Sequence, residues 1–535
     1  MERDMKQKLS GIPICLMAVL LPLAVHLTIQ KTDFTEYPWF PNQEYWADAF
    51  LTVRSRLILV LASGMAVILL YSMLKKKIRR PGREFLFLLI PGGWFILSAC
   101  LSRYPAYSFG GIMEQKESLW VLLSYLVVGY YSYVYVSETE DTGTVIRAVS
   151  AGAVLPCLLG LTQLLQCDIW ASSLGRMLMA PEYTDTFRDS LRFNFSEGMW
   201  GRVYMAFYNP DYAGIYLAMI LPLLFLLKGK KRVIFILLDL LCLAGTFSKT
   251  AWIAGGTVLF VLLLLKSGHR RRNYVLGAVI LTAAGIGVVL GIAYETEETG
   301  KRLEAVSGKK DYVEIQYNGE TVRLRALPTE DGGVKQDVRY TGEEGQKVEL
   351  KWSEERGECD PLDPMLEGLH FRAYGKDGVS YAAFRCHGLD FRFTKDSGSG
   401  KYEYITMNGK PDDLKDAVSF KLIPDEAISG RGYIWNRTLP LILENPWTGT
   451  GPDTFMLVFP QDDYVTRANL GYGFFTEILT NPHSLYLQAA LQTGIPSLVI
   501  LCIGVSMYFI KSWKLYAGKK KHGEMETAGA ALALG

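Results

Sequence analysis

The sequence predicts an all-α polytopic membrane protein with an inserted β-rich domain. Three observations support this fold class. Hydrophobic residues make up 50% of the 535 residues, and charged residues only 21%, with a net charge of +2. That balance is unusual for a soluble chain of this length. Apolar runs of membrane-crossing length recur along the chain, whereas residues 294–483 contain none and change to a charged, glycine-rich, alternating composition.

The membrane part is predicted to contain about ten transmembrane helices, because a crossing needs roughly 20 apolar residues. The stretch 231–267 is too long for one crossing, since a helix rises about 1.5 Å per residue. We therefore expect a hairpin turning at 245–250, which also keeps Lys249 away from the bilayer centre. The predicted crossings lie at 12–29, 57–74, 85–101, 119–136, 145–166, 212–227, 231–248, 250–267, 274–293 and 484–510.

The distribution of basic residues predicts the orientation. Short loops rich in Lys and Arg stay in the cytoplasm, and with ten crossings the basic segments 75–83, 228–232, 266–272 and 511–521 fall on the same side as the basic N-terminus. The loop 137–144 carries no basic residue and is neutral in this argument. The first apolar run lacks a small-residue cleavage site and is interpreted as a retained helix. The prediction is a multi-pass plasma-membrane protein with a cytoplasmic N-terminus.

The domains follow from these patterns. Residues 1–294 form helices 1–9, and 295–428 form an extracytoplasmic β-rich insertion. Residues 429–483 form an extracytoplasmic loop with an amphipathic helix at 429–445, and 484–535 form the tenth helix and a cytoplasmic tail. The stretch 528–535 resembles the opening of another helix, so truncation and a short tail both stay open. Alternating strands are predicted at 312–317, 321–326, 347–352, 379–385, 389–394, 401–407 and 418–423.

The cysteines predict no metal centre. They include no CxxC motif, and the histidines lack the spacing typical of zinc ligands. Neither a metal nor another cofactor is expected. A disulfide between Cys359 and Cys386, both in the insertion, stays open.

Polar clusters at 201–211, 245–250, 429–437 and 481–488 share the predicted outer face. His483 titrates near neutrality and could accept a proton from an attacking hydroxyl. Structural interpretations compete with this one: basic side chains at helix ends often extend to lipid headgroups, an interfacial histidine often caps a helix, and Asp211 is a plausible N-cap. The cations that could bind phosphate oxygens are Arg202, Lys249, Arg431 and Arg437.

Four blocks in these clusters resemble the O-antigen ligase and O-antigen polymerase superfamily. Residues 209–223 are similar to the family's Asn-Pro-Asn-x-x-Ala segment, and 246–252 to its Thr-x-Ser-Arg turn, with Lys249 in the place of Arg. Residues 431–455 are similar to its Arg-x-x-x-Trp and Pro-x-x-Gly-x-Gly stretch. His483-Ser484 followed by Gly494 reproduces the ligase spacing, with Ser497 at the last position.

The resemblance implies a fold of the glycosyltransferase C type. It also implies metal-independent transfer of a glycan from an undecaprenyl-diphosphate carrier to an acceptor hydroxyl. In this hypothesis His483 is the base, Arg431 stabilises the departing diphosphate and Lys249 assists it. The expected substrate contacts are Arg202, Asn209 and Arg437.

Several functions stay open at this point. A ligase would transfer the glycan to a lipid or wall polymer, and a polymerase to a second carrier-linked glycan. A transporter would use charges inside the membrane and paired broken helices. Asp239 is the main charge inside the predicted crossings. A membrane scaffold without activity is the third alternative. Membrane lipids are expected partners, and nucleic acid is not.

Overall fold

The structure is a computed structural model. It describes residues 9–41, 43–78, 82–139, 142–191, 202–207, 209–265, 302–330, 332–341, 345–406, 408–428, 430–473 and 478–516, together with Gly529. The predicted ninth crossing at 274–293, the basic segment 266–272 and the tail at 528–535 lie outside the described residues, apart from Gly529.

Helices dominate the N-terminal half and the region after the insertion. The first set is α1 Ile12–Leu20, α2 Leu51–Leu74, α3 Leu86–Cys100, α4 Pro105–Gly110, α5 Leu119–Thr139, α6 Thr142–Leu164, α7 Ser173–Met179, α8 Asp185–Ser190, α9 Pro210–Leu224, α10 Lys230–Gly245 and α11 Lys249–Leu265. The second set is α12 Arg431–Glu444, α13 Phe455–Val458, α14 Tyr464–Asn469, α15 Leu485–Thr493 and α16 Ile495–Tyr516.

Several of these helices have membrane-crossing character. Within the described residues, five helical spans are long and apolar enough to cross a bilayer: Leu51–Leu74, Arg83–Cys100, Leu119–Thr139, Thr142–Leu164 and Ile495–Ser512. Shorter apolar helices lie at Ile12–Leu23, Pro210–Leu224 and Lys249–Leu262. The chain is thus a helical membrane protein with β-sheets, and the number of ten crossings stays a prediction.

Three predicted features of the helical part can be compared closely with the structure. The hairpin within 231–267 is confirmed, because α10 ends at Gly245 and α11 begins at Lys249. The first predicted crossing is too long, since its helical part stops at Leu23 and a strand begins at Thr28. The predicted helix at 484–510 is broken at Gly494, whose positive φ of 85° separates α15 from α16.

The insertion is β-rich, as the alternating pattern predicted. After the hairpin of β1 Thr28–Lys31 and β2 Tyr45–Asp48, the described strands form two antiparallel meanders. The four-stranded sheet contains β3 Leu303–Gly308, β4 Val313–Tyr317, β5 Glu320–Pro328 and β6 Val334–Tyr340. The seven-stranded sheet contains β7 Leu350–Ser353, β8 Glu358–Pro361, β9 Leu369–Lys376, β10 Val379–Cys386, β11 Leu389–Lys395, β12 Tyr402–Ile405 and β13 Pro411–Asp412.

The predicted strand at 418–423 is wrong. This segment is irregular because Asn436 of α12 binds it instead of a neighbouring strand. The backbone N–H of Phe420 donates to the Asn436 carbonyl at 2.8 Å, and that of Leu422 donates to the Asn436 side chain at 3.2 Å.

The Cys359–Cys386 disulfide does not form. Both thiols are free and buried. Strand β9 lies between their strands, with Phe371 opposite Cys359 and Leu369 opposite Cys386. Since neighbouring strands are about 4.8 Å apart, two such steps exceed the Cα separation that a disulfide permits.

The insertion packs against loops of the helical part. Its apolar core is continuous with Phe40 and Ile112 from those loops. Asn408 donates to the carbonyls of Tyr37 and Phe40 at 3.2 and 3.1 Å, and Asn469 exchanges two hydrogen bonds with the backbone of Leu303. The β-rich domain is therefore joined to the same loops that border the site described next.

Candidate active site

A cavity of about 790 Å³ opens where the helical part meets the loops. Its polar lining comes mainly from loops and helix starts and includes His483, Arg431 and Asp211. Much of its apolar lining comes from α1, α2, α5, α6 and α9 and from the turn that follows α1, with Met17, Leu21, Ile58, Val121, Val149 and Ile215. Such a cavity can receive a ligand with an apolar part and a charged part.

His483 lies at the cavity on a strained turn. Its φ of 49° is in the left-handed region, and its N–H donates to the Asn481 side chain at 2.9 Å. The indole N–H of Trp435 donates to the Pro482 carbonyl at 3.0 Å, and Ser484 caps α15. Each residue of Asn481-Pro482-His483-Ser484 thus helps to hold the imidazole, which is exposed at the cavity.

Glycines fix α15 behind His483. The N–H groups of Thr450 and Gly451 donate to the carbonyls of Leu491 and Gln492, each at 2.8 Å. A Cβ on Gly494 would lie 1.9 Å from the Trp447 carbonyl oxygen, and one on Gly449 would lie 2.5 Å from that of Leu491. The Gly-x-Gly turn and the helix break therefore pack backbone against backbone, and no nucleotide loop is formed.

Arg431 and Asp211 are the charged neighbours of His483. Arg431 is the first residue of α12, follows the left-handed Gly430 and lines the cavity. Partial desolvation, followed by the positive charge of Arg431, lowers the pKa of His483, while Asp211 opposes the shift. A histidine with a lowered pKa is neutral at physiological pH and can accept a proton.

Asn209 caps α9 at the cavity edge. Its side chain accepts the N–H of Tyr212 at 3.0 Å, and Pro210 is the first helical residue. Asp211 is therefore in the first turn, and its assignment as the N-cap was wrong. Arg202 does not line the cavity, but its guanidinium lies 3.6 Å from Asp211 and donates to the Thr246 carbonyl at 2.9 Å.

Lys249 begins α11, directly after the hairpin turn. The next residue, Thr250, lines the cavity, but Lys249 does not. Arg202 and Lys249 thus border the site from the hairpin side, one layer behind the residues that form its wall.

Arg437 lies apart from the cavity and is buried. Its guanidinium contacts Asp463 at 2.5 Å, Asp425 at 3.1 Å and Thr466 at 3.3 Å, and it lies over the ring of Tyr433. These groups occupy the N–H donors of the Arg437 guanidinium, and Arg437 does not lie beside Arg431 and His483. Its predicted contact with substrate therefore has no support in this geometry.

The loop before α5 adds cavity residues that sequence reasoning missed. Asp453 holds this loop through the N–H of Ile112 at 2.6 Å. The loop carries Lys116 and Glu117 into the wall, and the Gln488 side chain donates to Glu117 at 2.5 Å. Desolvation raises the pKa of Glu117. These residues lie at the edge of an apolar run, where only their charge distinguishes them.

Among the described residues, no group of three or more His, Cys, Asp and Glu side chains is arranged to hold a metal ion. The polar side chains at the cavity combine the imidazole of His483, cations such as Arg431, the carboxylates of Asp211 and Glu117, and hydrogen-bonding amides. Such groups bind phosphate and hydroxyl oxygens.

A comparison with protein families gives a match at this site. Residues 411–502 match the model of the O-antigen ligase family. The chain carries an O-antigen ligase domain. The domain runs from β13 into α16, and it includes Arg431 and His483. Arg202, Asn209 and Lys249 lie outside the matched residues, so their resemblance to the family depends on the motifs alone. No curated protein and no solved structure was found to match the chain.

Proposed function

We propose that the protein transfers a glycan from an undecaprenyl-diphosphate carrier to an acceptor hydroxyl at the outer face of the plasma membrane. The observation that carries the proposal is the cavity in which His483 and Arg431 share a wall with apolar residues of several helices. The ligase domain supports a membrane enzyme of the ligase or polymerase type that uses a lipid-linked glycan.

The proposed chemistry is a single displacement. The neutral imidazole of His483 takes the proton of the acceptor hydroxyl, and the oxygen attacks the anomeric carbon of the donor glycan. The bond from that carbon to the carrier diphosphate breaks, and its electron pair leaves with the diphosphate. Arg431 stabilises the charge on this leaving group through its guanidinium.

The remaining residues act as supports in this proposal. Asn209 contacts substrate at the start of α9, Lys249 adds positive charge behind the wall, and Arg202 orients Asp211 through their 3.6 Å contact. The reaction needs no metal in this account, because the leaving diphosphate is neutralised by side chains. The helical part would then have the glycosyltransferase C-type fold.

The acceptor decides between two reactions. A ligase moves the completed chain to a lipid or wall polymer, and a polymerase moves it to another carrier-linked glycan. The spacing from His483 to Gly494 favours the ligase. The polymerase is the alternative, and a transporter or a scaffold is third.

Deletion of the gene in its own host distinguishes these functions. If the protein is a ligase, carrier-linked polymer of undiminished length accumulates and the acceptor loses its glycan. If it is a polymerase, the ladder of chain lengths collapses to one repeat. Complementation with wild type restores the pattern, and complementation with His483→Ala or Arg431→Ala does not. Restoration by both variants would refute the assigned chemistry.

A further inference from the structure

Arg54 is a cavity residue that the proposed reaction leaves without a role. It lies in the first turn of α2, and the structure fixes its guanidinium tightly. Nε donates to the Leu21 carbonyl at 3.0 Å, and Nη2 donates to the carbonyls of Pro22 and Ala206. Within the described part of the chain, Nη1 has no hydrogen-bond partner and no carboxylate forms an ion pair with this arginine. A fixed guanidinium therefore keeps donors for a ligand.

Lys116 supplies a second cation to the same cavity. Its ammonium donates to the Gln30 side chain at 2.8 Å, which leaves further protons of the ammonium for a ligand. Its backbone is left-handed, with φ of 56°, in the loop that Asp453 anchors. Such a backbone is costly and persists where the surroundings enforce it. The neighbouring Glu117 carboxylate is engaged by Gln488.

Asp48 is an acidic neighbour of both cations, and Asp453 is a second one of Lys116. Both carboxylates accept backbone hydrogen bonds, and that of Asp453 holds the Lys116 loop through Ile112. The oxygens of Asp48 accept the N–H groups of Phe50, Leu51 and Thr52 and thereby cap α2. Asp48 also does not line the cavity. The carboxylates of Asp48 and Asp453 are thus taken up by backbone N–H groups, whereas the two cations themselves line the cavity.

The pair comes from other elements of the chain than the residues of the proposed chemistry. Arg54 comes from α2 and Lys116 from the loop before α5, whereas Arg431 and His483 come from the ligase domain. The charges that act on His483 are those of Arg431 and Asp211. Arg54 is also close to apolar lining, since Leu51 and Ile58 of the same helix face the cavity.

We infer that Arg54 and Lys116 form a second phosphate-binding subsite in this cavity, for the phosphate group of a lipid-linked substrate. The inference rests on the proposed function for the identity of the substrate. A guanidinium and an ammonium next to an apolar wall match a phosphate ester attached to a lipid chain. The phosphate belongs either to the donor or to an acceptor that is itself lipid-linked.

Binding of farnesyl diphosphate to the detergent-purified full chain tests the subsite, with farnesol as the uncharged probe. Loss of one charge-assisted contact costs about 1.5–3 kcal/mol, which is about ten-fold or more in affinity. Arg54→Gln and Lys116→Gln are expected to bind the diphosphate at least about ten-fold more weakly and farnesol unchanged. Arg147→Gln is the matched control on an exposed position of α6 outside the lining. Equal diphosphate binding by wild type and both variants would overturn the inference.

A thiol at Ser55 provides a measurement that leaves Arg54 intact. Ser55 lines the cavity beside it. In Ser55→Cys, farnesyl diphosphate is expected to protect the new thiol from a charged thiol reagent, and farnesol is not; peptide mapping separates it from the native cysteines. Protection should persist when Arg431→Gln is added. Its loss there would mean a single shared site and would contradict the second subsite.

The outcomes separate this inference from the proposed function. Diphosphate-specific protection without any glycan transfer by wild type would keep the subsite and refute the transferase. Glycan transfer without protection would refute the subsite alone. If Arg54→Gln raises the KM for donor, the phosphate belongs to the donor; if it raises the KM for a phosphate-bearing acceptor, it belongs to the acceptor.

Discussion

His483 is held by four separate features of its surroundings. Asn481 binds its N–H, Trp435 binds the preceding carbonyl, Ser484 caps the following helix, and the backbone is left-handed. A histidine that served only as a helix cap would not need this set, because Ser484 already supplies the cap. The arrangement fits a side chain whose position matters for chemistry.

The pH dependence of transfer tests the state of this histidine. The base is the neutral form, and the pKa of His483 lies below its ordinary 6.5. Activity should therefore rise with pH through a midpoint below 6.5. Arg431 lowers this pKa and Asp211 raises it. In the residual activity of Arg431→Gln, the acidic limb of kcat/KM should move to higher pH, and Asp211→Asn should move the limb to lower pH. Identical limbs in all three proteins would exclude His483 as the titrating base.

Arg431 and Arg437 lie on the same helix, but their substitutions should have opposite effects on stability and activity. Arg437 is 4% exposed and paired with Asp463 and Asp425, so Arg437→Ala leaves buried carboxylates without their cation. This should cost roughly 3–5 kcal/mol of unfolding free energy. Arg431→Ala should keep stability and lose transfer. Thermal unfolding in detergent, together with a transfer assay, measures both. An Arg437→Ala protein with normal stability and no activity would support the predicted contact of Arg437 with substrate.

At the residue scale, the sequence shows which side chains are charged but not which of them are buried. Arg431 and Arg437 are chemically equivalent in the sequence, and only the fold brings Asp425 and Asp463 to one of them. Lys116 and Arg54 belong to no sequence motif. They line one cavity only because segments that are distant in the sequence meet in the fold. His483 was named from its imidazole and from its spacing to Gly494; the structure places it at the cavity, and its role as the base stays a prediction.

Among the elements, the junction of α15 and α16 depends on Gly494. Its φ of 85° is unfavourable for other residues, and a Cβ there would overlap the Trp447 carbonyl at 1.9 Å. Gly494→Ala should cost about 1–3 kcal/mol from the backbone alone, before the overlap is counted. We expect poor folding and lost transfer. Gly504→Ala, in open space within α16, is the control and should be neutral or stabilising by up to about 1 kcal/mol.

Measurement of unfolding midpoints and transfer rates for both variants decides this point. If Gly494→Ala were as stable and active as Gly504→Ala, the backbone packing of the turn against α15 would not be what positions His483.

The same junction explains why the sequence predicted the elements unevenly. Periodicity and length predicted most helices and the alternating strands, since both are local properties. The single helix predicted at 484–510 failed because hydropathy does not register one left-handed glycine. The strand predicted at 418–423 failed because its partner is Asn436 of a helix, which is a tertiary contact.

For the whole molecule, the orientation in the membrane is the main prediction. The basic loops predict that 228–232 is cytoplasmic and that the insertion and the site are on the outer side. An impermeant reagent applied to intact cells should label a tag at the Asp377-Gly378 turn of the β9–β10 hairpin and should miss a tag at 228–232. Lysed cells, where both tags react, are the control. Labelling of 228–232 from outside would overturn both the topology and the mechanism.

The arrangement of the whole molecule was only partly predictable. Composition and basic loops predicted the membrane class and a separate β-rich insertion. The contact of Asn408 and Asn469 with distant backbone, and the cavity lined by many helices, depend on long-range packing that no local pattern encodes.

The most direct test of the central claim is reconstitution in lipid vesicles with an undecaprenyl-diphosphate-linked glycan and candidate acceptors. Wild type should transfer the glycan and release the carrier diphosphate, and His483→Ala should be slower by roughly 10²–10⁴-fold while still binding donor. Transfer by His483→Ala at the wild-type rate would contradict the account.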